Sequence, residues 1–571
     1  MKSAKEILLY TAEGEALEGT PWNVYPRPLL VRDSFFCLNG DWSLTDTDGE
    51  KHTIRVPFPP ESLLSGVTKR MGAKPHIIYE KSFSLPKDFL RSRTFIHFGA
   101  VDQIAEVSLN GSLIGTHIGG YEHFSFDITD LLKEENTVTV TVTNADDPLS
   151  LPYGKQCEKR GGMWYTATSG IWQAVWLEAV PENYIAALRF TPDLRGVLLE
   201  VSGGVDKKSV KISTPSGEIA LDFEGESARI DIPEPLLWTP ENPYLYEIEI
   251  VSGEDRVESY FALRTVSIEK RNGKAFICLN GEPYFFHGLL DQGYYSDGIY
   301  TPASPEGYRY DIMKMRELGF NMLRKHIKIE PEIFYYYCDK YGMIVFQDMV
   351  NSGKYSFLID TALPTVATRS GISHKASARR REHFERSCRE TVALLYNHPS
   401  VCYYTIFNEG WGQYDSDRIY AEMIALDRSR IWDATSGWFR QKDSDVVSEH
   451  IYFKKIKLSA HPDRPLVLSE FGGYSMRVEG HSFNLDSEYG YKAIENSEAL
   501  TEALGELYLG EVLPEIEKNG LCATVLTQVS DVEDEINGLL TYDRRVVKVE
   551  KGRMNEIADK LFEAFERVSK N

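Results

Sequence analysis

The chain has 571 residues, of which 42% are hydrophobic, 26% charged and 12% aromatic, and its formal net charge is −22 from 63 basic and 85 acidic residues. That length exceeds what one hydrophobic core usually supports, so about two to four domains are expected. The acid excess excludes nucleic acid as the main partner, because binding it depends on clustered Lys and Arg neutralising phosphates.

At the start, Ile7-Leu8-Leu9-Tyr10 is too short for a signal-peptide core and is followed by Glu13 and Glu15. The expectation is a cytoplasmic protein with no membrane partner. The seven cysteines are scattered singly with no Cys-x-x-Cys pair, which argues for reduced thiols and against a disulfide framework or a zinc site.

From Asp33 to about Pro181 short β-rich stretches alternate with turns such as Leu38-Asn39-Gly40-Asp41-Trp42 and Val107-Ser108-Leu109-Asn110-Gly111. Regular turn signals of this kind predict an antiparallel sandwich. A smaller set follows, including Val197 to Val201 and Tyr244 to Ile250, with the length of an immunoglobulin-like β-sandwich. After Lys270 strands and helices alternate. Ile312, Met315 and Leu318 share one helical face before Gly319 stops the helix.

Eight strands are predicted: Tyr284 to Leu290, Asn321 to His326, Met343 to Asp348, Ser400 to Glu409, Asp433 to Gly437, Val446 to Tyr452, Pro465 to Gly472 and Ala523 to Asp531. Their continuous apolar character is that of parallel strands buried on both faces, and eight of them close most economically as a (β/α)8 barrel. The expected domains are therefore a jelly-roll-like β-sandwich at 1–181, an immunoglobulin-like β-sandwich at 182–269 and a C-terminal TIM barrel at 270–571. Asn351 to Ser377 reads as a long loop over the barrel mouth.

Glu409 and Glu470 each close one of these apolar runs, Thr405-Ile406-Phe407-Asn408-Glu409 and Leu466-Val467-Leu468-Ser469-Glu470. The carboxyl ends of barrel strands carry the chemistry, so the two carboxylates can face one another across a pocket. A carboxylic acid beside a carboxylate is what glycoside hydrolysis requires, one group protonating the leaving oxygen and the other attacking the anomeric carbon. A lone glutamate at a strand end is more often a cap or an ion-pair partner; a pair at the ends of two barrel strands is not.

Around that pair, Asn408 is read as a ligand for a sugar hydroxyl and Tyr452 as a hydrogen-bond donor to the nucleophile. Arg324 and His326, closing the second strand, either hold substrate and nucleophile or form an ion-pair network with Asp348. Trp411 and Trp438 could stack on a pyranose ring or simply pack in the core. Arg379-Arg380-Arg381 reads as a solvated helix start. No redox, nucleotide or phosphate motif is present, and no cofactor or metal is expected.

Taken together and in this order, these segments resemble glycoside hydrolase family 2, the group of β-galactosidases, β-glucuronidases and β-mannosidases. The likeness runs from Leu38-Asn39-Gly40-Asp41-Trp42 through Thr168-Ser169-Gly170-Ile171-Trp172-Gln173 and Gly319-Phe320-Asn321-Met322-Leu323-Arg324. It is most specific at Phe407-Asn408-Glu409-Gly410 and Leu468-Ser469-Glu470-Phe471-Gly472. The resemblance implies Glu409 as acid/base, Glu470 as nucleophile and net retention of configuration.

Three departures stand out. Most relatives carry a strand-eight tryptophan that floors the sugar subsite, whereas Val525-Leu526-Thr527-Gln528-Val529 has none, so Thr527 or Gln528 takes that place. The Asn-x-Lys motif of β-glucuronidases is missing before Thr541-Tyr542-Asp543-Arg544, where Glu533, Asp534, Glu535 and Asn537 stand instead. Acidic groups there disfavour a substrate carboxylate. Finally, Phe346-Gln347-Asp348-Met349 stands where many relatives have an acidic pair.

The expected function is a retaining exo-β-glycosidase acting on a neutral carbohydrate, most like the β-galactosidases. Glucuronide, mannoside and arabinoside hydrolysis are the alternatives within the family, with a possible homo-oligomeric state. A carbohydrate-binding protein with a silent barrel is the alternative from another class.

Overall fold

The computed structural model describes residues 6–362, 369–370 and 374–570, so part of the loop expected over the barrel mouth lies outside the described residues. The first sandwich packs a four-stranded sheet on a six-stranded one, both antiparallel. Its sequence alternates as such a sheet requires. In Asn136–Thr143 the residues Val138, Val140 and Val142 are buried and the threonines between them half-buried. They meet Trp42, Ile77, Tyr79, Ile96 and Leu177 in one core.

The second sandwich joins a three-stranded sheet to a four-stranded one, and Leu199, Val201, Val210, Ile248 and Ile250 turn inward to form its core. Its Trp238 indole donates to the Asp339 carbonyl at 2.8 Å and its Arg264 to the carbonyls of Pro399 and Val401. These bonds fix the sandwich to the amino-terminal side of the barrel strands.

The barrel strands are β1 (Phe286–Asp291), β2 (Met322–Lys325), β3 (Ile344–Asp348), β4 (Val401–Asn408), β5 (Ile431–Ser436), β6 (Val447–Ile451), β7 (Leu466–Gly472) and β8 (Leu521–Thr527). They form one parallel sheet in the order β5-β4-β3-β2-β1-β8-β7-β6. Between β5 and β6 there is no backbone ladder among the described residues; the Ser448 hydroxyl donating to the Thr435 carbonyl at 3.3 Å crosses that seam. The fold class read from the sequence holds, with one difference. Helices follow β1 (Glu306–Glu317), β2 (Glu332–Tyr341), β3 (Ala378–Leu395), β4 (Ser416–Leu426), β7 (Ser497–Leu507) and β8 (Lys551–Lys570), but no α-helix is described after β5 or β6.

The cysteines Cys278, Cys338, Cys388, Cys402 and Cys522 are buried free thiols, and Cys37 and Cys157 are half-buried free thiols. No described helix is long and apolar enough to cross a membrane. Arg380 departs from the solvated reading of its triplet: it is 6% exposed and its guanidinium donates to the Gly412 carbonyl at 3.0 Å, tying the turn after β4 to the helix Ala378–Leu395.

Candidate active site

Glu409 follows directly on β4 with φ of 54°, and Gly410 next to it has φ of 75°. A left-handed pair is costly for a residue with a side chain and turns the chain sharply. Gly410 could not be replaced without movement, since a Cβ there would lie 2.4 Å from the Phe439 ring. Glu470 lies inside β7 rather than at its end. A register shift between Glu449 and His450 on β6 leaves Ser469 as an extra residue on β7 and re-aims Glu470.

The two carboxyl groups meet. Glu409, His450 and Glu470 each place one side-chain oxygen or ring nitrogen such that all three lie within 4.8 Å of one another. His450 Nδ1 is 2.8 Å from Glu409 Oε1 and 3.5 Å from Glu470 Oε2. Its Nε2 faces the donor-only Arg324 at 3.4 Å, so the Nδ1–H is the one directed at Glu409.

Arg324 organises the opposite side. Its Nε donates to Asp348 at 2.9 Å, Nη1 to the Ser469 carbonyl and to Glu470 Oε1, both at 3.0 Å, and Nη2 to Asn408 Oδ1 and Ser436 Oγ, both at 3.0 Å. All five donors are used and the residue is 1% exposed. It therefore positions the carboxylate and has nothing left for a sugar, which corrects its assignment as a substrate ligand. Burial pushes the Glu470 carboxyl up, but His450, Arg324, His326 and the Tyr452 hydroxyl together outweigh this and hold it at about 2.

Asn408 Oδ1 is fixed by Arg324 and by the Ser436 hydroxyl at 2.9 Å, which leaves its NH2 group to the cavity it lines. Tyr452 donates to Glu470 Oε2 at 2.6 Å and lies 2.8 Å from Thr527 Oγ1. His326 Nδ1 is 2.9 Å from Asp348 Oδ2, and burial lowers its pKa. Its ring borders the cavity, so it serves both the ion-pair network and the pocket. Trp438 lines the cavity as well, with its indole N–H held by the His450 carbonyl at 2.8 Å.

Two expected ligands are elsewhere. Trp411 packs edge-on against Tyr153, Trp164 and Tyr355 and donates to the Gly353 carbonyl at 3.0 Å. Its side chain turns away because Gly410, with φ of 75°, reverses the chain between it and Glu409. Gln528 is fully buried, accepting from Gln292 at 2.9 Å and donating to Asn537 at 2.8 Å. Thr527 and Gln292 face the cavity in its place.

The cavity has a volume of about 210 Å³ and also draws on Lys155, Met163, Phe357, Tyr491 and Glu535. Lys155 comes from the first sandwich, whose segment 155–166 crosses the barrel mouth and is anchored there by Thr166 N–H donating to Glu533 at 3.1 Å and by the Tyr165 hydroxyl donating to Glu535. Among the described residues the Lys155 ammonium makes no ion pair; it lies 5.8 Å from the centre of the Trp164 ring. Phe357 belongs to the segment expected over the mouth.

Sequence reasoning missed His450, although it stands two residues before Tyr452 on β6, and alternate residues of a strand share a face. A cation could in principle bridge Glu409, His450 and Glu470, but the Arg324 guanidinium already balances Glu470. At the other grouping of this kind among the described residues, Asp46, Glu50 and His52, the Lys69 ammonium stands 2.6 Å from Asp46.

Three family descriptions match the chain in order: a glycosyl hydrolase 2 galactose-binding domain-like module over 67–165, glycosyl hydrolases family 2 over 194–264, and the family 2 TIM barrel domain over 273–506. The chain belongs to glycoside hydrolase family 2. Among family 2 relatives, a β-galactosidase of Thermoanaerobacter pseudethanolicus is 26% identical over 434 residues, covering 69% of this chain and 54% of that protein. A β-glucuronidase of Bacteroides fragilis is 25% identical over 524 residues, 80% of this chain and 71% of that one. The chain thus spans about half the length of the first of these relatives. A β-galacturonidase of Eisenbergiella tayi bound to galacturonate superposes with a TM-score of 0.67 at 19% identity, covering 95% and 98% of the two chains. An uncultured Clostridium β-glucuronidase gives 0.74 at 18% identity, covering 94% and 99%. At these identities the likeness concerns the fold.

Proposed function

We propose that this chain is a retaining exo-β-glycosidase that removes terminal β-linked neutral sugars, with Glu470 as nucleophile and Glu409 as acid/base. The observation that carries this reading is the approach of the two carboxyl groups to within 4.8 Å at one cavity. Retaining enzymes hold their carboxyl groups about 5 to 5.5 Å apart, too close for a water to attack directly between them. Glu470 attacks the anomeric carbon as the ionised partner, while Glu409 gives its proton to the departing oxygen. A covalent glycosyl-enzyme results. Glu409, now a carboxylate, takes a proton from water as that water displaces Glu470, and configuration is retained.

Asn408, with its amide NH2 free, supplies a donor for a hydroxyl beside the reacting carbon. Glu535, accepting from Tyr165 and from Asn537 at 2.9 Å, offers an acceptor at the cavity edge. An acidic group there favours a hydroxyl over a carboxylate. Lys155 supports a second reading. An unpaired ammonium in the same cavity could bind the carboxylate of a uronic acid, and several relatives are named β-glucuronidase or β-galacturonidase.

Hydrolysis of a nitrophenyl series decides. Turnover of β-galactoside or another neutral glycoside with no uronide turnover supports the first reading, and the reverse supports the second. Glu470→Gln is expected to reduce either activity below detection. Glu409→Ala is expected to lose about 10²- to 10⁴-fold on substrates with poor leaving groups and to recover with added azide. Normal rates in both variants would remove the assignment, and no turnover of any glycoside by the parent would leave the silent-barrel alternative.

A further inference from the structure

Behind the wall of the catalytic cavity, between the two carboxyl groups, stands His450. It is 1% exposed and does not border the cavity itself, so it touches no sugar. Its ring has little freedom to turn. A Cβ at Gly437 would lie 3.0 Å from the ring Cγ and Nδ1, and only bare backbone there, with φ of 89°, leaves the ring its room. The neighbouring Trp438 indole donates to the His450 carbonyl at 2.8 Å and meets the ring edge-on, the ring centres 5.8 Å apart. The Arg324 guanidinium stands 3.4 Å from Nε2.

This fixed ring gives the two oxygens of Glu409 different work. Nδ1–H reaches Oε1 at 2.8 Å, so that oxygen is an acceptor. Oε2 has no hydrogen-bond partner among the described residues, in a side chain that borders the cavity. A protonated carboxyl group carries a single O–H. With Oε1 facing a donor, the proton belongs on Oε2, where a leaving oxygen can take it. Arg324 and Tyr452 do the corresponding work for Glu470, one on each of its oxygens.

The same N–H faces charge as it develops. In the first half-reaction the Oε2 proton of Glu409 passes to the glycosidic oxygen as the bond from that oxygen to the anomeric carbon breaks and the bond from Glu470 forms. Glu409 is left a carboxylate, and a donor already in place stabilises that charge more than it stabilised the neutral acid. In the second half-reaction water returns a proton to Oε2 as its oxygen bonds to the anomeric carbon and the ester to Glu470 breaks. His450 keeps its own proton throughout. Glu470 Oε2 lies 3.5 Å from Nδ1 and already takes the Tyr452 hydroxyl at 2.6 Å, so the N–H serves Glu409 first.

We propose that His450 is a positioning residue for the acid/base: its Nδ1–H assigns the Glu409 proton to the oxygen that faces the leaving group and stabilises the carboxylate left behind. The proposal rests on the glycosidase reading, with Glu409 as its acid.

The test compares two variants of nearly the same shape, His450→Asn, whose amide can put an N–H where Nδ1 stands, and His450→Leu, which has none. Damage to packing is common to both. Each full chain is assayed on aryl glycosides of one sugar that the parent hydrolyses, from dinitrophenyl, whose leaving group departs unprotonated, to phenyl, whose leaving group needs the proton. His450→Leu is expected to lose about 10- to 10²-fold in kcat/KM on the phenyl glycoside, the worth of a charged hydrogen bond, and less than about threefold on the dinitrophenyl one. His450→Asn should recover most of the phenyl loss. An effect carried through Glu470 or through the fold would weigh on every leaving group alike. Equal losses across the series, no loss on the phenyl glycoside, or an asparagine variant no better than the leucine one would each overturn the proposal. Glu409→Ala in the same series separates this proposal from the reading beneath it. A steep dependence there with a flat one in His450→Leu removes only the role of His450. A flat dependence in Glu409→Ala, or a parent that turns over no glycoside, removes the acid assignment and this proposal with it.

Discussion

Two regions of the molecule bury carboxyl groups to a similar depth and give them opposite character. Where β2, β4 and β7 end, Glu470 is held at about 2 with Arg324 at 3.0 Å. Where the segment 155–166 meets the loop after β8, burial pushes Glu533 up to about 7 and raises Glu535 as well. There the nearest cation to Glu533 is Arg160, 3.8 Å away and shared with Glu6 and Asp534. Burial alone turns a carboxyl group into a neutral hydrogen-bonding group; His450 and the Arg324 guanidinium, which also pairs with Asp348, are desolvated along with Glu470 and keep it ionised.

The sharpest way to break this contrast is Arg324→Met. Removing one partner of a buried charge network costs about 3–5 kcal/mol of stability, and misplacing the nucleophile is expected to cost at least about 10²-fold in kcat/KM. The effect of charge is read separately, in the pH profile. With Arg324 gone the Glu470 pKa rises, so the acid limb of kcat/KM moves to higher pH. A slower variant whose acid limb stays in place would mean that Arg324 only supports the fold.

A smaller effect is expected in stability against pH. The Glu470 carboxyl is lowered from 4.5 to about 2 in the folded protein. It therefore stabilises the fold fully above about pH 4.5, and that contribution is lost as pH falls toward 2. Urea midpoints measured across this window should fall less steeply in Glu470→Gln than in the parent. Equal slopes would show that the shift does not act on folding.

How much of this was legible in the sequence follows the same division. Glu409 and Glu470 were readable because a parallel strand buried on both faces leaves a recognisable apolar run, and its end marks the barrel mouth. The structure brings both to one cavity. Trp411 and Gln528 were misplaced because neither lies within a strand, where period two would set side-chain direction; a turn through Gly410 sends one away, and a buried amide network takes the other. Lys155 carried no local signal at all. It reaches the catalytic cavity only because another domain lays a segment over the barrel, a consequence of tertiary packing that no window of sequence displays.

Lys155→Met tests what that segment contributes to the cavity. On a neutral aryl glycoside the change is expected to be small, because hydroxyl recognition falls to Asn408, His326 and Glu535. On an aryl uronide the loss should exceed tenfold, on the order of the 1.5–3 kcal/mol that a charged hydrogen bond contributes. An equal loss on both would give Lys155 a role in holding the segment rather than in choosing the sugar.

The smallest effect is expected at Glu535→Gln. Its carboxyl is already shifted toward the neutral form by burial, and an amide of the same shape keeps an oxygen for the Tyr165 hydroxyl and the Asn537 amide. At the acid end of the pH profile the KM for a neutral glycoside should change by less than about 1 kcal/mol, the net worth of one ordinary hydrogen bond. As pH rises the parent carboxyl ionises and the variant cannot, so any difference between them should widen toward alkaline pH. A large loss already present at the acid end, and constant above it, would mean that Glu535 works as a charged group despite its burial, and that the contrast with Glu470 lies in geometry rather than in protonation.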